Sequence, residues 1–109
     1  LNIKNLIVDV IKSVDIDDCY YIEASKKTDK YVIYSIYNET DTDIFDDNNQ
    51  SVTYYIQLNY WFKNSIDEKR YKEIKNKMKE KGFIFDGCKD SKDGNYYGKL
   101  FDFKYEEFN

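Results

Sequence analysis

Between Ser51 and Lys63 the apolar residues Val52, Tyr54, Ile56, Leu58, Tyr60 and Phe62 take every second position, with Thr53, Gln57 and Asn59 between them. Successive side chains of a strand point to opposite faces, so this run predicts one long strand with a buried side and a wetter side. The wetter side also carries Tyr55 and Trp61, two large rings that a purely solvated face would not favour. Nearer the start, Ile3, Leu6, Ile7, Val10, Ile11 and Val14 recur at the three-and-four spacing of a helix with a broad apolar face. Asn2 can cap that helix, and residues 15–18 (Asp-Ile-Asp-Asp) mark its exit. Six such side chains, at roughly 1.5–3 kcal/mol each when fully buried, make it a core element.

The remaining pattern predicts one further strand, a second helix and a two-stranded hairpin. Residues 19–23 read as a short strand or an extended connection. Residues 31–37 are a β-prone run with Val32, Tyr34 and Ile36 on one side. Residues 38–50, dense in Asp, Asn and Thr, read as a projecting loop too long for a tight hairpin, with the apolar pair Ile44-Phe45 at its centre. Ser65 and Glu68 form a capping-box pattern for a helix that runs to about Lys81 and stops at Gly82. Its apolar stripe, Tyr71, Ile74 and Met78, is narrow, so this helix depends on the sheet beneath it. A strand begins at Phe83, Asp93-Gly94 lies in a hairpin turn spanning 90–95, and residues 96–107 form the returning strand. The order is α-β-β-α-β-β: an α+β domain covering residues 1–109, with a mostly antiparallel sheet covered by two helices.

Composition narrows the chemistry. A chain of 109 residues is one domain with a modest core. Aromatic residues reach 18%, which fits either a β-rich domain that meets a partner or the residue bias of an AT-rich genome. The net charge of −4 argues against a nucleic-acid grip, which concentrates Lys and Arg on one face. Lys26, Lys27 and Lys30 form one small cluster, and the lysines of 69–81 read as a solvated helix face. Residues 1–14 are amphipathic, unlike a signal peptide, and no segment approaches a membrane span, so a cytosolic setting is expected.

No catalytic constellation emerges. The chain has no histidine, so Ser-His and Cys-His nucleophiles lack their base. Cys19 and Cys88 lie far apart with no CxxC spacing, which argues against zinc and leaves a disulfide open. Asp15, Asp17 and Asp18 form one acidic cluster, and Asp41, Asp43, Asp46 and Asp47 another. An EF-hand register starting at Asp41 puts Phe45 at position five and Asp46 at position six, so that motif fails. Both clusters read as solvated loops. The expected contact residues are Tyr55, Asn59 and Trp61 on the strand and Ile44 and Phe45 at the loop tip. No metal, cofactor or catalytic residue is expected.

An N-terminal amphipathic helix and a Tyr31-Val-Ile-Tyr34 strand precede the run Tyr54-Tyr-Ile-Gln-Leu-Asn-Tyr-Trp-Phe-Lys63. A capped helix then ends in Lys81-Gly-Phe83, and a hairpin closes with Tyr97-Gly-Lys-Leu-Phe-Asp-Phe-Lys-Tyr105. This succession resembles the small tail-completion, or tail-terminator, proteins of long-tailed bacteriophages and their prophage relatives. The resemblance covers nearly the whole chain and is one of pattern, with no invariant motif. It implies a non-enzymatic role: a homo-oligomeric ring, often hexameric, at the head-proximal end of the tail tube. Its partners would be tail-tube and head-completion proteins, with no membrane and no sequence-specific nucleic acid, and its place the cytoplasm during assembly and then the particle. The long acidic loop of 41–49 departs from that pattern. The competing reading is an acidic inhibitor or immunity-type protein whose carboxylates mask a basic partner; an enzyme is the third.

Overall fold

The computed structural model describes residues 2–43 and 50–108. Its first helix, α1 (Ile3–Ser13), is capped as the sequence indicates: the Asn2 side chain accepts a 3.2 Å hydrogen bond from the Asn5 amide. At its end Asp15 takes a positive φ of 61°, the Asp15 amide donates to the Lys12 carbonyl, and the Ile16 amide donates to Ile11. That arrangement drives Ile16 into the core beside the last turn of the helix.

The second helix, α2 (Arg70–Glu80), closes by the same device. Gly82 at φ 95° lets its own amide reach Lys79 and the Phe83 amide reach Met78, and Phe83 is buried. The start of α2 departs from expectation. A 3-10 turn (Ser65–Asp67) precedes it, and neither Asn64 nor Lys69 provides a side-chain cap. Tyr60 and Arg70 hold that turn instead: the Tyr60 hydroxyl donates to the Asp67 carbonyl at 2.8 Å, and Arg70 Nε lies 3.2 Å from Asp67 Oδ1.

The described residues hold five strands, three between the helices and two after α2: β1 (Cys19–Tyr21), β2 (Lys30–Asp43), β3 (Gln50–Phe62), β4 (Ile84–Asp93) and β5 (Tyr96–Phe108). They form one sheet in the order β1-β2-β3-β5-β4. The fold is α+β, with a mixed sheet: β1 runs parallel to β2, and the other three pairings are antiparallel. The extended segment at residue 19 is therefore a true strand, and the element order gains it between α1 and β2.

Two boundaries also move. Residues 38–43 continue β2 against β3, pairing from Asn38↔Tyr55 to Asp43↔Gln50, where a loop was expected. Polar composition suggested a loop, yet a long neighbouring strand supplies the hydrogen-bonding edge that these residues extend along. Likewise β4 reaches Asp93, so the hairpin turn shrinks to Gly94 and Asn95, with Gly94 at φ 59°. Ile44 and Phe45 lie outside the described residues, as do Asp46 and Asp47.

The core lies between one face of the sheet and both helices. Ile3, Ile7, Val10 and Ile11 of α1 and Ile74 and Met78 of α2 meet Ile56, Leu58, Tyr60 and Phe62 of β3 and Phe101 and Phe103 of β5. Both helices thus sit on the face that the β3 alternation marks as buried. Among the described residues no helix is long and apolar enough to cross a membrane.

Candidate functional site

With both helices on one side, Tyr55, Gln57, Asn59 and Trp61 of β3 project from the other. Across the register, Tyr31, Ile33 and Ser35 of β2 and Gly98, Leu100 and Asp102 of β5 share that helix-free face. Three of the five expected contact residues, Tyr55, Asn59 and Trp61, therefore stand in one line along the central strand.

Their surroundings separate them. Trp61 is half-buried and packs over Gly98, its cross-strand partner. Beside it Tyr31 is 3% exposed, with the Tyr96 ring edge-on at 5.3 Å, and the Tyr96 hydroxyl donates to the Thr28 carbonyl at 2.8 Å. Those rings form a small second core at the β4–β5 turn end of the sheet, so Trp61 supports the fold more than it offers a free surface.

Asn59 sits between its paired neighbours Ile33 and Leu100. Its Oδ1 is inaccessible to water and has no hydrogen-bond partner, the one such side-chain atom among the described residues. An amide oxygen left so loses its hydration without compensation, a penalty of about 1–3 kcal/mol.

Tyr55 is half-buried and borders exposed side chains. The Tyr37 ring lies 6.2 Å away, and Lys104 Nζ stands 5.8 Å from the Tyr55 ring and 3.8 Å from Asp86 Oδ2. Tyr37 is 58% exposed, Ile84 45% and Phe108 66%, all on this side of the sheet. Sequence reasoning did not single out these three. Tyr37 continues the alternation of Tyr31, Ile33 and Ser35 onto this face, and Ile84 and Phe108 reach it by register with Lys104 and Ser51.

The acidic cluster at the α1 exit lines a hollow of about 220 Å³ with Thr28, Asp29 and Lys30. Asp18 Oδ2 accepts a 2.6 Å hydrogen bond from the Thr28 hydroxyl, so this carboxylate ties β1 to the loop before β2. Among the described residues no three acidic or sulfur side chains converge as metal ligands. Cys19 in β1 and Cys88 in β4 occupy opposite edges of the sheet. Four inter-strand steps separate them, about 19 Å at the usual spacing, which excludes the disulfide that spacing alone left open. Burial pushes the Cys19 thiol up to about 12, with Lys12 opposing, and burial also raises Cys88. Neither has the lowered pKa of a nucleophile.

No family model matches the chain, and no curated protein matches its sequence.

Proposed function

We propose that the protein is a non-enzymatic assembly subunit of the kind its sequence pattern resembles, a ring-forming tail-terminator protein of a phage or prophage particle. In this reading it meets copies of itself, the tail tube and head-completion proteins through surface contact, without chemistry. The observation that carries the reading is the helix-free sheet face. It carries Tyr55 and is edged by the exposed side chains of Tyr37, Ile84 and Phe108. Exposed aromatic and apolar side chains gathered on one sheet face have the composition of an interface. A ring requires contacts between different surfaces of successive copies, closed by rotation.

Multi-angle light scattering over a wide concentration range tests it. Assembly to a closed oligomer, or co-migration with tail-tube protein, is the expected result. Tyr55→Ser with Asn59→Ser should then weaken association while the circular dichroism spectrum stays unchanged. A monomer at every concentration, with no partner raising its mass, overturns the reading.

A further inference from the structure

The sheet is longer than the helical layer that covers it. An eleven-residue helix such as α1 spans about 16 Å, whereas the thirteen-residue β3 spans about 43 Å. The far ends of β2, β3 and β5 therefore continue as a three-stranded arm, and the molecule measures 53 × 23 × 22 Å. Where α1 begins, the covering layer drops away in a step lined by Asn2, Ile3, Lys4, Ile36 and Tyr54, with a hollow of about 350 Å³.

Beyond that step the helix-side face of the arm has a defined composition. The bulge after Ile36 shifts the alternation of β2 by one residue, bringing Glu39 opposite Tyr54 and Asp41 opposite Val52. On the other side of β3, Tyr105 pairs with Tyr54 and Glu107 with Val52. Two rows result, Glu39-Tyr54-Tyr105 and Asp41-Val52-Glu107: an apolar strip down β3 flanked by three carboxylates. Those carboxylates lie close enough to Tyr54 to raise its hydroxyl pKa, after burial as the first cause. Lys4 at the step is already stacked on Tyr21, 3.7 Å from its ring.

Charge and shape select the occupant. Among the described residues no helix covers the arm, and the surface there is apolar with an acidic border. Lys69 at the N-cap of α2 and Lys72 and Lys79 on its exposed side make no ion pair among the described residues, while the exposed Glu73 and Glu80 are paired with Arg70 and Lys77. We infer that α2 of a second copy docks on this arm, its lysines between Glu39, Asp41 and Glu107, completing the helical layer that the first copy leaves short. The contact joins two different surfaces, so it repeats from copy to copy, and a ring forms where the rotation between copies closes. It rests on the ring-subunit reading above and names the joint.

The test uses two charge-reversed full-length variants, Glu39→Lys/Asp41→Lys/Glu107→Lys and Lys69→Glu/Lys72→Glu/Lys79→Glu, followed by sedimentation velocity at low salt. All six positions lie on the surface or at its border, so melting curves close to that of the natural chain are expected of both. The natural chain should assemble, and each variant alone should dissociate about tenfold or more readily. An equimolar mixture of the two restores complementary pairs at both contacts and should regain the natural size. Assembly of each variant like that of the natural chain would overturn the docking inference and leave the ring reading standing. A natural chain that stays monomeric throughout overturns both. Loss in each variant without recovery in the mixture also overturns the docking inference, since repulsion alone would then explain the loss.

Discussion

The ring of Trp61 fills the space above Gly98 where a side chain would begin: a Cβ at Gly98 would lie 2.6 Å from Trp61 Cζ3 and 2.8 Å from Cε3. The two residues are direct cross-strand partners on β3 and β5, so the glycine is a seat for the indole. Gly98→Ala should therefore lift the ring from the sheet. Trp61 is the only tryptophan, so its emission, excited away from tyrosine, reads that movement directly. A red shift and a stability loss of about 1–3 kcal/mol are expected from the overpacking. An unchanged spectrum together with an unchanged urea midpoint would show that the indole does not depend on this seat.

Arg70 is the joint between the two helices. Its Nη1 donates to the Val14 carbonyl at 2.9 Å, at the C-terminal end of α1, while its Nε engages Asp67. The hydrogen bond to Asp67 is the first cause of the raised Arg70 pKa, so the side chain stays charged under all ordinary conditions. A guanidinium makes both contacts from one planar fork, whereas a lysine ammonium is a single point. Arg70→Lys keeps the charge and should lose about 1.5–3 kcal/mol in chemical denaturation, the magnitude of a hydrogen bond to a charged group. Equal stability of the variant would reduce Arg70 to a surface charge.

These two relationships also show where the sequence was readable. The periodicity of α1, the alternation of β3, the stop at Gly82 and the turn at Gly94 are local signals, each set by side-chain spacing or by a backbone angle that glycine suits. The joint of Arg70 with Val14 spans 56 residues, and no spacing rule announces it. The capping box at Ser65 failed for a related reason: Tyr60 and Arg70 secure Asp67 from outside the local segment. Residues 38–43 carry loop composition and became strand because β3 runs alongside them. For the candidate surface, the alternation placed Tyr55, Asn59 and Trp61 on one face correctly. It could not tell which of them is covered, because the seat of Trp61 on Gly98 depends on cross-strand register.

Alkaline pH tests the helix side of the sheet. Burial pushes Tyr34 up to about 12, with Cys19 and Tyr21 adding to the shift, and pushes Cys19 up to about 12 from 9.0. Burial first, then Asp67, also raises Tyr60, whose hydroxyl is engaged with the Asp67 carbonyl. All three groups release their protons more readily in the unfolded chain than in the folded one. The stability that they hold is complete below their ordinary pKa values and is lost as pH rises through the folded ones. The urea midpoint should accordingly stay level as pH rises to about 9 and fall steadily from there to about 12. Tyr34→Phe and Cys19→Ala should each make that fall shallower, because each removes one of the protons released on unfolding. A fall of equal steepness in both variants would assign the alkaline transition to other groups.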